Sequence, residues 1–145
     1  MKSKFTLRKK CLEKRDIFFK NKRSECLKSK DIKATILEIK SILKISSIGI
    51  YHPIKSEISP LKLIEICKNL SIIICLPVIC KNTNELIFSK FDNEMNITKN
   101  EYGIIEPNKI SQIIPDIIFV PMVGFDKTLN RLGLEKDITI EPYQN

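Results

Sequence analysis

Lys4 and Arg8 stand four residues apart, a spacing that puts both cations on one face of a helix. A forked guanidinium beside a point-charge ammonium suits a polyphosphate. The same pair also suits a plain solvated helix face. Glu57 follows a short apolar run and so falls just past the end of an expected strand. Open α/β sheets place ligands at that end, where a carboxylate can accept hydrogen bonds from the donor edge of a bound ring. An exposed loop Glu is the plainer alternative. Tyr51 and His52 precede it and either line the same pocket or pack as ordinary aromatics. Asp126 and Arg131, in GFDKTLNRLG, suit an ion pair that fixes a loop or supports an anion-binding one; the structural role is favoured for Asp126.

The thiols offer less. The five cysteines are Cys11, Cys26, Cys67, Cys75 and Cys80, and His52 is the only histidine. Their number is odd and their spacing matches no zinc ribbon. Buried free thiols in a reducing compartment are the expectation. A Cys–His nucleophile pair is conceivable, and nothing in the spacing favours it.

The elements that must position these side chains follow from composition and period. The chain has 145 residues, 43% hydrophobic and 29% charged, enough for one domain with a core. The expectation is a single α/β domain over residues 1–145. No apolar run approaches the ~18–20 residues of a membrane span. The opening MKSKFTLRKK lacks the apolar stretch of a signal peptide, so a cytoplasmic protein without membrane contact is expected. The net charge is +8, but residues 1–44 carry +10 and the remainder −2. Ile, Lys and Asn, all served by A/T-rich codons, make up 58 of the residues and only four are Arg. The basicity therefore reads as a solvated helical face, and nucleic acid is not the expected partner.

Residues 3 to about 28 read as a basic helix with Phe5, Leu12, Phe19 and Leu27 on its sparse apolar side. Ile32, Ile36, Ile39 and Leu43 follow a 3.6-residue period and mark a second helix over 31–44, with Asp31 as its cap. Ile45 to Tyr51 is a buried strand closed by Pro53, and Ser59-Pro60 opens a helix. Ile72 to Leu76 is a second strand, stopped at Pro77. Together they form a βαβ unit and imply a parallel sheet. Residues 81–88 read as a turn and short strand, 89–103 as loop, and Asp116 to Val120 as a central strand buried on both faces.

In order along the chain, several fragments resemble the 5-formyltetrahydrofolate cyclo-ligase family. KFTLRKKCLEKR is similar to its opening helix, IGIYHPIKSEISPLKLI to its strand, loop and helix, LPV and ELIF to the next strand and hairpin, and YGIIEP to its G-I-x-E-P segment. PDIIFVPMVGFDKTLNRLG resembles its most specific stretch, D-x-x-x-V-P-x-x-x-F-D-x-x-x-x-R-L-G. The resemblance implies an α/β fold with a three-layer, mostly parallel sheet and helices on both faces, NagB/RpiA/CoA transferase-like. It also implies ATP and Mg²⁺ as cofactors, 5-formyltetrahydrofolate as substrate, and a monomer. Lys4, Arg8, Arg131 and Gly133 would then contact ATP, and Glu57 with His52 the folate.

One departure cuts across the matches. The family continues into a Gly-rich phosphate loop, G-x-G-x-G-Y-Y-D-R, where this chain reads Leu134, Glu135, Lys136, Asp137 and on to Asn145. A coding stretch for G-L-G-K-G-Y-Y-D-R-T-L-S-K that loses one guanine from its third codon reads G-L-E-K-D-I-T-I-E-P-Y-Q-N, which is residues 133–145. A frameshift near Glu135 is therefore expected, with C-terminal elements of the fold lost and activity impaired. Two other classes stay open: a folate- or nucleotide-binding module without turnover, and a basic RNA-associated protein.

Overall fold

The apolar runs around Ile48, Ile74 and Ile117 lie side by side. The computed structural model describes residues 3–21, 29–80, 85–92, 97–100 and 105–133. Along the chain they form α1 (Lys4–Asn21), α2 (Ser29–Leu43), β1 (Ser47–Gly49), α3 (Lys62–Asn69), β2 (Ile73–Ile79), β3 (Leu86–Lys90), β4 (Ile97–Lys99), β5 (Ile105–Pro107), β6 (Ile117–Ile118), β7 (Gly124–Phe125) and β8 (Arg131–Leu132). The main sheet runs β3-β2-β1-β6. β1 pairs parallel with both β2 and β6, and β3 pairs antiparallel with β2. The fold is thus α/β, with a mixed sheet in which three of four strands are parallel.

Side-chain alternation explains the layers. Ile48, Ile50, Ile74 and Leu76 point to one face and pack with Ile36 of α2 and Leu63 and Cys67 of α3. Each such fully buried aliphatic side chain contributes roughly 1.5–3 kcal/mol. The other face approaches too closely for a side chain on β1: a Cβ on Gly49 would lie 2.7 Å from Cε1 of Phe88 and 3.1 Å from Cγ of Pro115. Gly49 is what lets Phe88, only 2% exposed, approach β1 so closely. Asp116 ties the amino ends of β1 and β6 together. Its Oδ2 accepts from both the N–H and the hydroxyl of Ser46 and Ser47, at 2.8–3.0 Å. Those donors hold its carboxyl below the usual carboxylate range, led by the Ser46 N–H.

Several expectations need correction. α2 starts at Ser29, so Asp31 lies within the helix and does not cap it; its carbonyl accepts from Thr35 Oγ1 instead. Leu43, expected inward, is 61% exposed at the last residue of α2, although it shares a helical face with the buried Ile36. α1 is described as far as Asn21; Cys26 and Leu27 lie outside the described residues. α3 begins at Lys62, after a tighter turn in which Leu63 and Ile64 donate to Pro60 and Leu61. Leu61, with helical φ and no side-chain cap, stands at its N-cap rather than Ser59.

Pro77 does not stop β2, which continues to Ile79. The bonds Phe91 N–H to Ile74 O and Cys80 N–H to Glu85 O aim the even-numbered residues of β2 at β3. The nitrogen of Pro77 therefore faces the β1 side, where the ladder has already ended at Cys75. No hydrogen bond is lost, so the ring is tolerated. The segment 89–103, expected as loop, holds β4, which pairs antiparallel with β5 just beyond it. Asp116 to Val120 gives a strand of only two residues, Ile117 and Ile118, both half-buried. Among the described residues β6 is an edge strand and not a central one, since only β1 supplies a partner row.

Candidate functional site

The carboxyl ends of β1 and β6 open into a cavity of about 890 Å³. This is a switch point: β1 connects through α3 to β2 on one side and has β6 on the other, which is where open α/β sheets bind ligands. α1 supplies Cys11, Lys14, Arg15 and Phe18 to one wall, and α2 supplies Ile32 and Ile36. The segment after β1 brings Tyr51, Ser56 and Glu57, and the segment after β6 brings Phe119 to Val123. The walls are largely apolar and aromatic, with few polar groups, as in sites for small heterocyclic ligands.

Glu57 is 6% exposed. It closes a four-residue turn with Ile54: the Glu57 N–H donates to Ile54 O at 3.1 Å, and the Ile54 N–H donates to Glu57 Oε2 at 3.0 Å. The turn needs a positive φ at its second residue, and Lys55 supplies it at 53°. Ser56 faces α1, accepts from Arg15 Nε at 3.1 Å and donates to Asp16 Oδ1. Tyr51 donates from Oη to Ile58 O at 2.6 Å and closes the same segment further on. His52 is half-buried and is not among the residues lining the cavity.

α1 has no buried residue of its own. It is held against the site at separate points. Arg15 and Asp16 meet Ser56, and Arg8 Nε donates to Gly133 O at 2.8 Å. A Cβ on Gly124 would meet Cys11 Sγ at 3.4 Å. Arg8 and Gly133, predicted from sequence as parts of one site, are thus in direct contact. Lys4 is exposed at the first residue of α1, and Arg131 is exposed in β8, paired with Phe125. Glu135 and Asp137 lie outside the described residues.

The β7–β8 hairpin carries its own brace. Asp126 accepts from the N–H and Oγ1 of Thr128 and from the N–H and Nδ2 of Asn130, at 2.8–3.0 Å. The Asn130 and Thr128 bonds lower its pKa to about 2. Asp126 thus braces the hairpin through Thr128 and Asn130, where an ion pair with Arg131 was one expectation. Cys67 and Cys75 are buried in the core, and burial pushes each thiol up to about 11. Neither is a nucleophile at neutral pH. Among the described residues no three His, Cys, Asp or Glu side chains converge as a metal site, and no helix is long and apolar enough to cross a membrane.

The profile of the 5-formyltetrahydrofolate cyclo-ligase family matches residues 1–136. The chain belongs to that family. It is 32% identical over 108 residues to the 5-formyltetrahydrofolate cyclo-ligase of Haemophilus influenzae, a match covering 68% of this chain and 58% of that protein. The chain therefore spans less than two thirds of that relative's length. Its fold is similar to the 5,10-methenyltetrahydrofolate synthetase of Aquifex aeolicus, with a TM-score of 0.73 at 26% identity over 93% of this chain and 69% of the other. It is also similar to the enzyme of that name from Mycoplasma pneumoniae, with a TM-score of 0.61 at 27% identity over 92% and 73%.

Sequence reasoning found Glu57 and Tyr51 in the cavity and missed Arg15, Ser56, Phe18 and Phe119. Arg15 and Asp16 sit in a run of charges that reads as solvated surface. Only the packing of α1 across the loop shows that they have partners.

Proposed function

We propose that this chain binds 5-formyltetrahydrofolate in the cavity beside Glu57, as a cyclo-ligase by descent whose turnover is severely reduced. The observation that carries the reading is a buried carboxylate at the strand-end cavity of a member of this family. One oxygen of Glu57 is engaged by the Ile54 N–H; the carboxylate accepts in addition from the donor edge of the pterin. The apolar and aromatic walls cover the flat ring system.

In the family reaction the terminal phosphoryl group of ATP passes to the formyl oxygen, breaking one P–O bond and making another. N10 then attacks the formyl carbon, loses its proton to solvent and expels phosphate with that oxygen, leaving the 5,10-methenyl product and ADP. Positioning and charge neutralisation dominate such transfers. Lys4, Arg8, Arg131 and Gly133 are the candidate ATP contacts, and the Arg8–Gly133 bond supports their grouping. Mg²⁺ is assigned no ligand and no step among the described residues, since no acidic cluster there fits it.

Backbone N–H groups of a Gly-rich turn hold phosphate in a way side chains do not replace. Glu135 and Asp137 put negative charge at that point of the sequence. Purified protein should therefore bind 5-formyltetrahydrofolate in equilibrium dialysis yet form almost no methenyl chromophore with ATP. Glu57→Gln should weaken binding by about 10-fold or more, as expected for a lost charged hydrogen bond. Glu135→Gly with Asp137→Gly should raise turnover. Absence of binding defeats the folate reading, and turnover at an ordinary enzyme rate defeats the impairment. The nucleotide sequence beyond codon 133 tests the frameshift directly: codons that fail to give G-Y-Y-D-R in the shifted frame remove it.

A further inference from the structure

We propose that Ser56 is a positioning residue, clasped by Arg15 and Asp16 of α1, that holds the Glu57 carboxylate in its ligand-accepting geometry. The inference rests on the folate reading only for the identity of the ligand. Ser56 sits between Lys55, whose φ is 53°, and Glu57, whose carboxylate is bound to the Ile54 N–H. A left-handed backbone at a non-glycine residue persists where its surroundings enforce it. Here, among the described residues, the side-chain bonds from the turn to another element run from the Ser56 hydroxyl, 8% exposed, to Arg15 and Asp16. The hydroxyl accepts from one and donates to the other, so both of its capacities are used.

The clasp has two consequences. It fixes the turn, and with it the direction of the Glu57 carboxylate, from outside the turn itself. It also fastens α1, which has no buried residue, across the cavity at Arg15. Ligand recognition by Glu57 is thereby made to depend on a helix whose own charges read as ordinary surface.

The test is amide hydrogen exchange at Ile54, whose N–H is bound to Glu57 Oε2, in the ligand-free chain. Ser56→Ala and, separately, Asp16→Ala should speed Ile54 exchange by about 10-fold or more, while amides of the β1–β2 ladder stay protected. Ser56→Thr, which keeps a hydroxyl, should leave Ile54 protected. Asp16→Ala changes an exposed residue, so it reports even if Ser56→Ala disturbs folding. The second readout is 5-formyltetrahydrofolate affinity: Ser56→Ala should weaken it in the parent chain and have no further effect in a Glu57→Gln background. Unchanged Ile54 exchange in both Ala variants overturns the clasp, as do effects of Ser56→Ala and Glu57→Gln that multiply. If Ile54 responds but the parent chain does not bind 5-formyltetrahydrofolate, the clasp stands and the folate reading falls.

Discussion

The β1–α3–β2 unit and the α1 wall are stabilised by different physics. The first is held by burial: Ile48, Ile50, Leu63 and Cys67 are each at most 1% exposed. The second has no buried residue, and Phe5, Ile17 and Phe18 are all more than half exposed. α1 is held by a few directed contacts, Arg15 and Asp16 to Ser56, Arg8 to Gly133, and Cys11 beside Gly124. A site placed between the two inherits a rigid floor and a wall that individual polar groups control. Substitutions in the floor should act on the whole fold, and substitutions in the wall on the site alone.

The largest effect is expected from Ile48→Ala. A fully buried aliphatic truncation costs about 2–5 kcal/mol, a large share of the stability of a small domain. Phe5→Ala on α1, at 61% exposure, should change stability by no more than about 0.5 kcal/mol. Denaturant titration of both variants checks the contrast, and equal losses would erase it. Gly49→Ala comes next. Its new methyl would meet the Phe88 ring at 2.7 Å and the Pro115 ring at 3.1 Å, so either the sheet or the rings must shift. Overpacking of this kind costs about 1–3 kcal/mol. A Gly49→Ala protein as stable as the parent would show that the Phe88 face is soft.

The same division decides what could be read from sequence. β1, α3 and β2 were legible because burial on both faces of a parallel strand leaves short Ile-rich runs, and the intervening helix has its own period. β4 and β5 were not, because Ile97–Lys99 and Ile105–Pro107 are three-residue strands with mostly polar or half-buried positions. Their pairing is a matter of register, which leaves no period in either segment. Pro77 misled for a related reason: whether a proline stops a strand depends on which side its nitrogen faces. At the site, Glu57 was found from its place after a strand and from family resemblance. Ser56, Arg15 and Asp16 were invisible, since hydrogen bonds between residues forty positions apart leave no local pattern. Asp116 reads from sequence only as the first residue of a buried strand, and its role appears only once Ser46 and Ser47 are beside it.

Lys55→Gly sharpens the comparison from the wall side. The position is exposed and its φ of 53° suits glycine. Relief of a left-handed side-chain residue, roughly 1–2 kcal/mol, is offset by the larger entropy of glycine in the unfolded chain. The net gain should stay below about 1 kcal/mol. If the Ser56 clasp enforces the turn, Lys55→Gly should also make Ile54 protection less sensitive to Ser56→Ala, because the turn then needs less outside support. Thermal melts and Ile54 exchange on the paired variants measure both.

Asp126 should give the smallest effect, confined to the β7–β8 hairpin. Its carboxylate takes four donors from Thr128 and Asn130, which lower its pKa to about 2 from an ordinary 3.8. A group whose folded pKa is depressed adds stability above its unfolded pKa, and that stability is lost as pH falls through the folded value. The hairpin brace is therefore complete above pH ~4 and loosens between there and about pH 2. Because Asp126 is fully exposed, the loss stays local and the sheet is not involved. In an NMR titration the Asp126 carboxyl carbon and the Asn130 amide should share a midpoint near 2, and Asp126→Asn should flatten the Asn130 curve. A midpoint at the ordinary 3.8 would mean the four donors are not engaged in solution. The hairpin that holds Gly133 against Arg8 would then lack its internal brace, and that side of the α1 wall would be looser than the floor by more than burial alone accounts for.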